Sequence, residues 1–117
     1  MKRKKGALVP LEIGILSALA LARKDHVSET HGFQIAKLLQ DGARARLLTA
    51  HGTLYRALGR LEQMGLLDSR WEDPHIAAAD GRPVRRLYRL TDAGLSALAR
   101  RRAETRAPLR RRQLARA

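Results

Sequence analysis

The chain has 117 residues, which is enough for one domain with a modest core. It contains no cysteine, so disulfide bonds and thiolate metal sites are excluded, and a cytoplasmic location is allowed. Lysine and arginine total 24 against 11 acidic residues, and the resulting net charge of +13 favours a polyanionic partner.

The N-terminal residues 1–7 form a basic tail, because residues 1–5 contain four basic residues and no acidic one. The apolar run that follows resembles a secretory signal, but Pro10 and Glu12 interrupt it. The run is also too short and too broken to span a membrane. We therefore expect a retained first helix in a cytoplasmic protein that does not enter the membrane.

The first two helices are predicted over Leu11–Arg23 and Thr30–Asp41, and Ser28 or Thr30 is expected to cap the second. The first helix is apolar nearly all round, so it must be covered on more than one side. In so small a domain, part of this cover is expected from a second subunit. Ile15 and Leu19 are the predicted contacts of the first helix at that interface.

The third helix is predicted to start after Thr49 as N-cap and to end at Gly65. Its apolar stripe faces away from a surface that carries no carboxylate. That surface consists of Gly52, Arg56, Gly59 and Gln63, with Tyr55 and Arg60 on its flanks. Arginine, amide, hydroxyl and bare backbone are groups that contact phosphates and base edges. The two glycines each cost about 1 kcal/mol relative to alanine, which suits a helix that something approaches closely. An ordinary amphipathic helix with a solvated basic face is the alternative.

Two strands follow, over Leu67–Asp73 and Val84–Leu90, joined by a long loop over Pro74–Pro83. The hairpin is rich in arginine, namely Arg82, Arg85, Arg86 and Arg89. Phosphate or minor-groove contact is favoured for Arg82 and Arg85. For Arg86 and Arg89, such a contact and the alternative below carry about equal weight. Charges that only protect an exposed sheet edge are the alternative. Trp71 is expected to pack in the core or on the hairpin.

The last helix is predicted over 91–107, starting at Thr91 and Asp92 and ending before Pro108. It keeps an apolar stripe after the hairpin has closed the domain, and Leu95 and Leu98 are its predicted dimer contacts. Residues 108–117 form a second, arginine-rich tail. Both tails are expected to add DNA affinity but little sequence information, whereas a purely solubilising role is the alternative.

These elements define a mostly α (α+β) fold, a winged helix-turn-helix over 8–90 followed by a dimerisation helix. Three helices precede a two-stranded wing with a basic tip. In such a fold the third helix is placed to enter the major groove of double-stranded DNA.

Three stretches resemble the PadR family of bacterial transcriptional regulators: THGFQIAKLL at 30–39, GTLYRALGRLEQMGLL at 52–67 and GRPVRRLYRLTDAG at 81–94. The resemblance covers residues 8–105 and implies a homodimeric repressor of the shorter class, with one C-terminal dimerisation helix. It places DNA contacts at Gly52, Thr53, Tyr55 and Arg56, with residues 81–83 at the wing tip. Two departures bear on sequence preference. Ala50-His51 replaces the usual serine-proline, which leaves His51 as a candidate contact, and Arg56 replaces the usual proline.

The four histidines lie apart without metal-ligand spacing, so no metal or other cofactor is expected. No phosphate-binding glycine loop or nucleophile-and-base pair is found, and an enzyme is not expected. Two functions remain. The first is a sequence-specific repressor that binds an inverted-repeat operator as a homodimer. The second is a basic winged-helix module that acts mainly through a protein partner. A small-molecule or protein effector is possible in either case and cannot be identified from the sequence.

Overall fold

The computed structural model describes residues 7–41 and 51–116, and only the backbone for Asp41, His51 and residues 106–116. These ranges form five helices and three strands. In chain order they are α1 (Pro10–Lys24), β1 (Thr30–His31), α2 (Gly32–Asp41), α3 (His51–Gln63), β2 (Leu67–Trp71), α4 (Pro74–Ala79), β3 (Arg86–Leu90) and α5 (Asp92–Arg116). Helices α2 and α3 form the helix-turn-helix, and β2 and β3 form the wing.

The wing is part of a three-stranded antiparallel sheet in the order β1-β3-β2. Leu67 lies opposite Leu90, and Thr30 lies opposite Tyr88. The strand β1 was not predicted, because two residues are too few for an alternating pattern to show. Thr30 therefore belongs to the sheet, and the α2 cap is His31, whose Nδ1 accepts the Gln34 backbone N–H at 3.3 Å.

The core is built by all three N-terminal helices, the sheet and the start of α5. Its fully buried apolar side chains are Ile15, Leu16, Ile35, Leu54, Leu58, Leu61, Leu67 and Leu98. Helix α1 runs through the middle, with six consecutive residues from Leu11 to Leu16 buried. The structure shows that the cover over α1 comes largely from α2, α3 and α5 of the same chain.

Three of the four predicted dimer contacts are buried within a single chain. Ile15, Leu19 and Leu98 are 0%, 3% and 2% exposed within a single chain. They pack in the core of that chain, so a second copy cannot reach them. Among the four predicted contacts, only Leu95 is partly exposed, and it packs against the edge of the core. The apolar stripe of α5 mainly closes its own domain.

The end of α3 and the start of α5 are tied together. Gly65 has a φ of +77°, as the predicted end of α3 requires. Thr91 caps α5 as predicted, because its Oγ1 accepts the Gly94 N–H at 3.0 Å while its hydroxyl donates to the Gly65 carbonyl at 2.8 Å. At Gly94, an added Cβ would overlap the Leu66 carbonyl oxygen and lie 2.6 Å from Leu90 Cδ1. Only glycine permits this close contact between α5 and the wing base.

The segment predicted as an open loop contains the short helix α4. Asp73 caps this helix by accepting the His75 N–H at 2.8 Å, and Pro74 takes the first helical position. Ala77 is buried, and its carbonyl accepts the Arg82 N–H at 3.1 Å, which joins the end of the helix to the segment before β3. The prediction of a loop over Pro74–Pro83 was wrong for this part, because Pro74 starts a helix.

Helix α5 is longer than predicted, since it continues past Pro108 to Arg116. The predicted boundary between the last helix and the tail, at residues 107 and 108, is therefore not a helix end. A proline inside a helix removes one hydrogen bond, but the surrounding arginine, alanine and leucine are strong helix formers.

Candidate nucleic-acid interface

Helix α3 has one buried side and one open side. Leu54, Leu58 and Leu61 are fully buried. The opposite side is exposed, and we call it the outer face of α3: Gly52, Tyr55, Arg56, Gly59 and Gln63. The predicted apolar stripe is buried, with Ala57 half-buried, and the four predicted outward residues Gly52, Arg56, Gly59 and Gln63 are exposed.

The two glycines of the outer face have no packing role within the described chain. A Cβ added at Gly52 or Gly59 would have no atom within 4 Å. Neither residue has a positive φ, so neither needs glycine for its backbone conformation. The bare backbone leaves room for a partner that approaches the helix closely.

Tyr55 is fixed against the start of α2. A Cβ at Gly32 would lie 2.7 to 2.9 Å from the Tyr55 ring and hydroxyl, so the phenol occupies the space that a side chain at position 32 would need. The ring is nevertheless 48% exposed. Its position therefore joins the outer face of α3 to the beginning of α2.

Arg56 is the cation at the centre of the outer face. Its side chain is exposed, and its Nη2 lies 3.4 Å from Thr53 Oγ1. Within the ranges 7–40 and 52–105, Arg56 forms no ion pair. Its charge is therefore available to an anionic ligand.

Arg60 has a different environment from the one the sequence suggested. Its Nη1 lies 2.7 Å from Glu12 Oε2, and its Nη2 donates to the Ala7 carbonyl at 3.2 Å. Glu12 is only 2% exposed. Arg60 thus holds α3 to the start of α1. The sequence predicted a DNA contact for Arg60, but its guanidinium is bound to groups of the same chain.

Arg82 is likewise held inside the wing. Its guanidinium binds both carboxylate oxygens of Glu72 at 2.6 and 2.7 Å, and its side chain is 19% exposed. The Arg82 hydrogen bonds are the main reason that the pKa of Glu72 falls from 4.5 to about 2. Arg82 therefore stabilises the wing tip instead of extending from it.

The remaining arginines of the hairpin differ in their partners. Arg70 binds Glu29 at 2.6 Å, and Arg89 binds Asp68 at 2.7 Å. Arg86 lies 3.7 Å from a Glu62 oxygen. The exposed Arg85 alone among the hairpin arginines forms no ion pair with the residues described.

Arg85 also lies near the start of α2, because it comes two residues before Leu87, which pairs with His31 in the sheet. Burial lowers the pKa of His31 most, and the positive charges of Arg85 and Arg82 lower it further. Tyr55 packs at Gly32, the next residue after His31, so Arg85 and Tyr55 both lie beside the start of α2. Sequence spacing alone does not show this proximity.

Trp71 is not a core residue, because it is 63% exposed. It packs on the hairpin through Arg86, whose guanidinium carbon lies 5.1 Å from the ring centroid. Arg86 Nε also donates to Ser69 Oγ at 3.0 Å, and Ser69 is hydrogen-bonded to Glu62 of α3. These contacts connect the wing to one flank of α3.

Several predicted residues fall outside this description. These are the side chain of His51, Thr49, the side chains of the arginine-rich tail and the basic residues 2–5. In the parts of the chain that the structure covers, no group of three or more His, Asp or Glu residues is arranged to hold a metal ion. None of the helices described there is long and apolar enough to cross a membrane.

Residues 19–100 match the Transcriptional regulator PadR-like family. The chain belongs to this family. Its members are transcriptional regulators and not enzymes, and the chain is a DNA-binding regulator with the winged-helix fold. No similar sequence is found among functionally curated proteins.

Solved PadR-like structures share this fold. A PadR family transcription regulator from Clostridium difficile R20291 superposes with a TM-score of 0.67 at 23% identity, over 92% of this chain and 98% of that one. A PadR-like transcription factor from Bacteroides fragilis gives 0.65 at 29% identity, over 92% and 89%. A PadR-like regulator from Bacillus cereus gives 0.60 at 19% identity, over 92% of both chains.

Proposed function

We propose that this PadR-like protein is a cytoplasmic homodimeric repressor that binds an inverted-repeat operator. The observation that carries the proposal is the outer face of α3. It combines a cation that forms no ion pair with the described residues, an exposed phenol and an amide with two glycines. A helix of this kind fits the major groove, where arginine can bind guanine O6 and N7. Arg56 is the residue that we assign to this base contact.

The wing supplies a second contact through Arg85. The other hairpin arginines are neutralised by carboxylates of the same chain, so they add little net attraction for phosphate. Arg85 forms no ion pair with the described residues and lies beside the start of α2, where Tyr55 of the outer face packs. We assign it to the DNA backbone beside the groove that α3 occupies.

The dimer surface is proposed to lie between α1 and α5. A groove of about 400 Å³ opens there, and its apolar lining includes Ala20, Leu95 and Ala99. Leu21 of α1 adds an apolar side chain that is 62% exposed. A two-fold dimer presents the same patch on both copies, so one surface can serve both subunits. Such a dimer, bound across a promoter, blocks transcription by occupying it.

Selection of bound sequences from a random DNA pool tests the proposal. We expect an inverted repeat whose half-sites are about 10 base pairs apart, because two α3 helices of one dimer must enter grooves about one turn apart. A five-base-pair insertion between the half-sites should then abolish tight binding, and a ten-base-pair insertion tests the rigidity of the dimer. Binding that shows no sequence preference would contradict the proposal and favour a module that acts through a protein partner.

A further inference from the structure

The only tryptophan of the chain lies on the side of the wing that faces α3. In the register of the sheet, Trp71 lies opposite Arg86, and Ser69 lies opposite Tyr88. Side chains two residues apart along a strand lie on the same face of the sheet. Ser69 and Arg86 both contact Glu62 of α3, so this is the face on which α3 packs. Trp71 is on that face too, one residue pair further towards the wing tip.

The Trp71 ring is held in place although it is exposed. It is 63% exposed, and the guanidinium carbon of Arg86 lies 5.1 Å from the ring centroid. Arg86 is itself fixed, because its Nε donates to Ser69 Oγ at 3.0 Å and its Nη2 lies 3.7 Å from a Glu62 oxygen. A cation over an indole face favours one position of the ring. The indole N–H forms no hydrogen bond with the described residues, so it can donate to a ligand.

The position of Trp71 relative to bound DNA follows from the geometry of α3. Residues of a helix advance by about 100° each, so Glu62 lies about 60° from Gly59 of the outer face and about 20° from Tyr55. The wing therefore meets α3 on the flank that carries Tyr55. A helix with its side chains is about 10–12 Å wide and the major groove is about 12 Å wide, so a helix in the groove has a sugar-phosphate strand along each flank. The strand on the wing flank passes the Trp71 ring.

We propose that Trp71 contacts the sugar-phosphate strand that borders α3 on the wing flank of the major groove. The ring packs against deoxyribose, and the indole N–H donates to a phosphate oxygen. Arg86 is a positioning residue, because it holds the ring while its charge is shared with Glu62. The inference rests on the DNA binding proposed above and adds a contact that carries no charge.

Acrylamide quenching of tryptophan emission tests the contact in the wild-type protein, because all of this emission comes from Trp71. Acrylamide is neutral, so its access to the ring reports coverage and not the charge of the DNA. We expect the quenching constant to fall severalfold as the selected operator saturates the protein, with binding followed by the anisotropy of labelled DNA. The control combines Trp71→Phe with Val27→Trp. Val27 is 46% exposed and precedes the end of β1 that lies far from Trp71, so its quenching constant should not change.

A Trp71 quenching constant that keeps its free value while labelled operator is bound would overturn the contact and leave DNA binding intact. The exposed ring would then be open to a protein partner instead. An equal fall at positions 71 and 27 would also contradict a local contact. If selection from the random pool recovers no preferred sequence, the proposed function fails, and this contact fails with it.

Substitution of Trp71 separates a neutral contact from an ionic one. Trp71→Ala should weaken operator binding about tenfold, as for other aromatic residues at the centre of a contact. The salt slope should stay at its wild-type value, because neither the ring nor its N–H carries a charge. Trp71→Phe keeps a ring without the donor and should lose less affinity. Urea unfolding checks that both variants keep a folded wing. Unchanged affinity in folded Trp71→Ala would contradict the contact.

The positioning role of Arg86 has a spectroscopic test in the free protein. Arg86→Gln should lower the anisotropy of Trp71 emission, because the ring gains freedom to rotate, and should weaken operator binding without changing the salt slope. Arg86→Lys keeps a cation over the ring and should restore part of both. An unchanged emission anisotropy in Arg86→Gln would exclude Arg86 as the positioning residue. A salt slope lowered by about 0.9 would instead make it a phosphate contact.

Discussion

Leu95→Glu should separate the two copies of the proposed dimer. Leu95 lines the groove between α1 and α5 and is partly buried within one chain. A two-fold interface receives the substitution twice, because both subunits present the same patch. Burial of an unpaired carboxylate costs several kcal/mol. Arg23, Lys24 and Arg102 also line the groove and offset part of that cost, so we take about 2 kcal/mol per copy. The total of about 4 kcal/mol raises the dimer dissociation constant by roughly a thousandfold.

Sedimentation equilibrium measures this change, and fluorescence anisotropy on the operator measures its effect on DNA binding. Ser96→Glu is the matched control, because Ser96 is exposed next to Leu95 and does not line the groove. Leu16→Ala is the contrasting variant: Leu16 lies in the core and does not line the groove, so the free energy of unfolding should fall by about 2–5 kcal/mol. A Leu95→Glu protein that remains dimeric at the concentrations where wild type does would refute the assigned surface.

Three further predictions follow from particular contacts. Arg85→Gln should reduce affinity for operator and random DNA alike and lower the salt slope by about 0.9, whereas Arg89→Gln, whose parent residue is paired with Asp68, should change both less in the same titrations. Gly94→Ala should lower the free energy of urea unfolding by about 3 kcal/mol or more, because the new methyl group meets a backbone carbonyl that cannot move aside; wild-type stability would contradict the packing described. The lowered pKa of Glu72 predicts a contribution to stability that is complete above pH 4.5 and is lost as the pH falls towards 2, so the difference in unfolding free energy between wild type and Glu72→Gln should shrink over that range.

The sequence was sufficient where the signal is local. The buried and open sides of α3 follow from helical periodicity, and both ends of the wing were marked by Gly65 and Thr91. The helix α4 was also readable, since Asp73 followed by Pro74 is a helix start. The prediction of an open loop over Pro74–Pro83 did not use this signal.

The sequence was insufficient where the answer depends on a distant partner. Arg60 lies on the flank of an exposed basic helix, and only the fold shows that Glu12, 48 residues earlier, takes its charge. Likewise, only the fold shows that Arg82 is paired with Glu72. An apolar stripe such as that of α5 indicates burial but does not say whether the cover is the same chain or a second copy. Leu98 was therefore predicted as a dimer contact, whereas the structure buries it in the core of its own chain.

Arg56→Ala, measured against every single-base variant of the selected operator, tests the central claim most directly. If Arg56 reads a base edge from the outer face of α3, the variant should lose about 1–3 kcal/mol on the operator, a factor of roughly 5 to 150. Its discrimination should disappear at one position in each half-site and persist at the others. An equal loss on operator and random DNA, with the preference at every position retained, would contradict base reading by Arg56 and make it a phosphate contact.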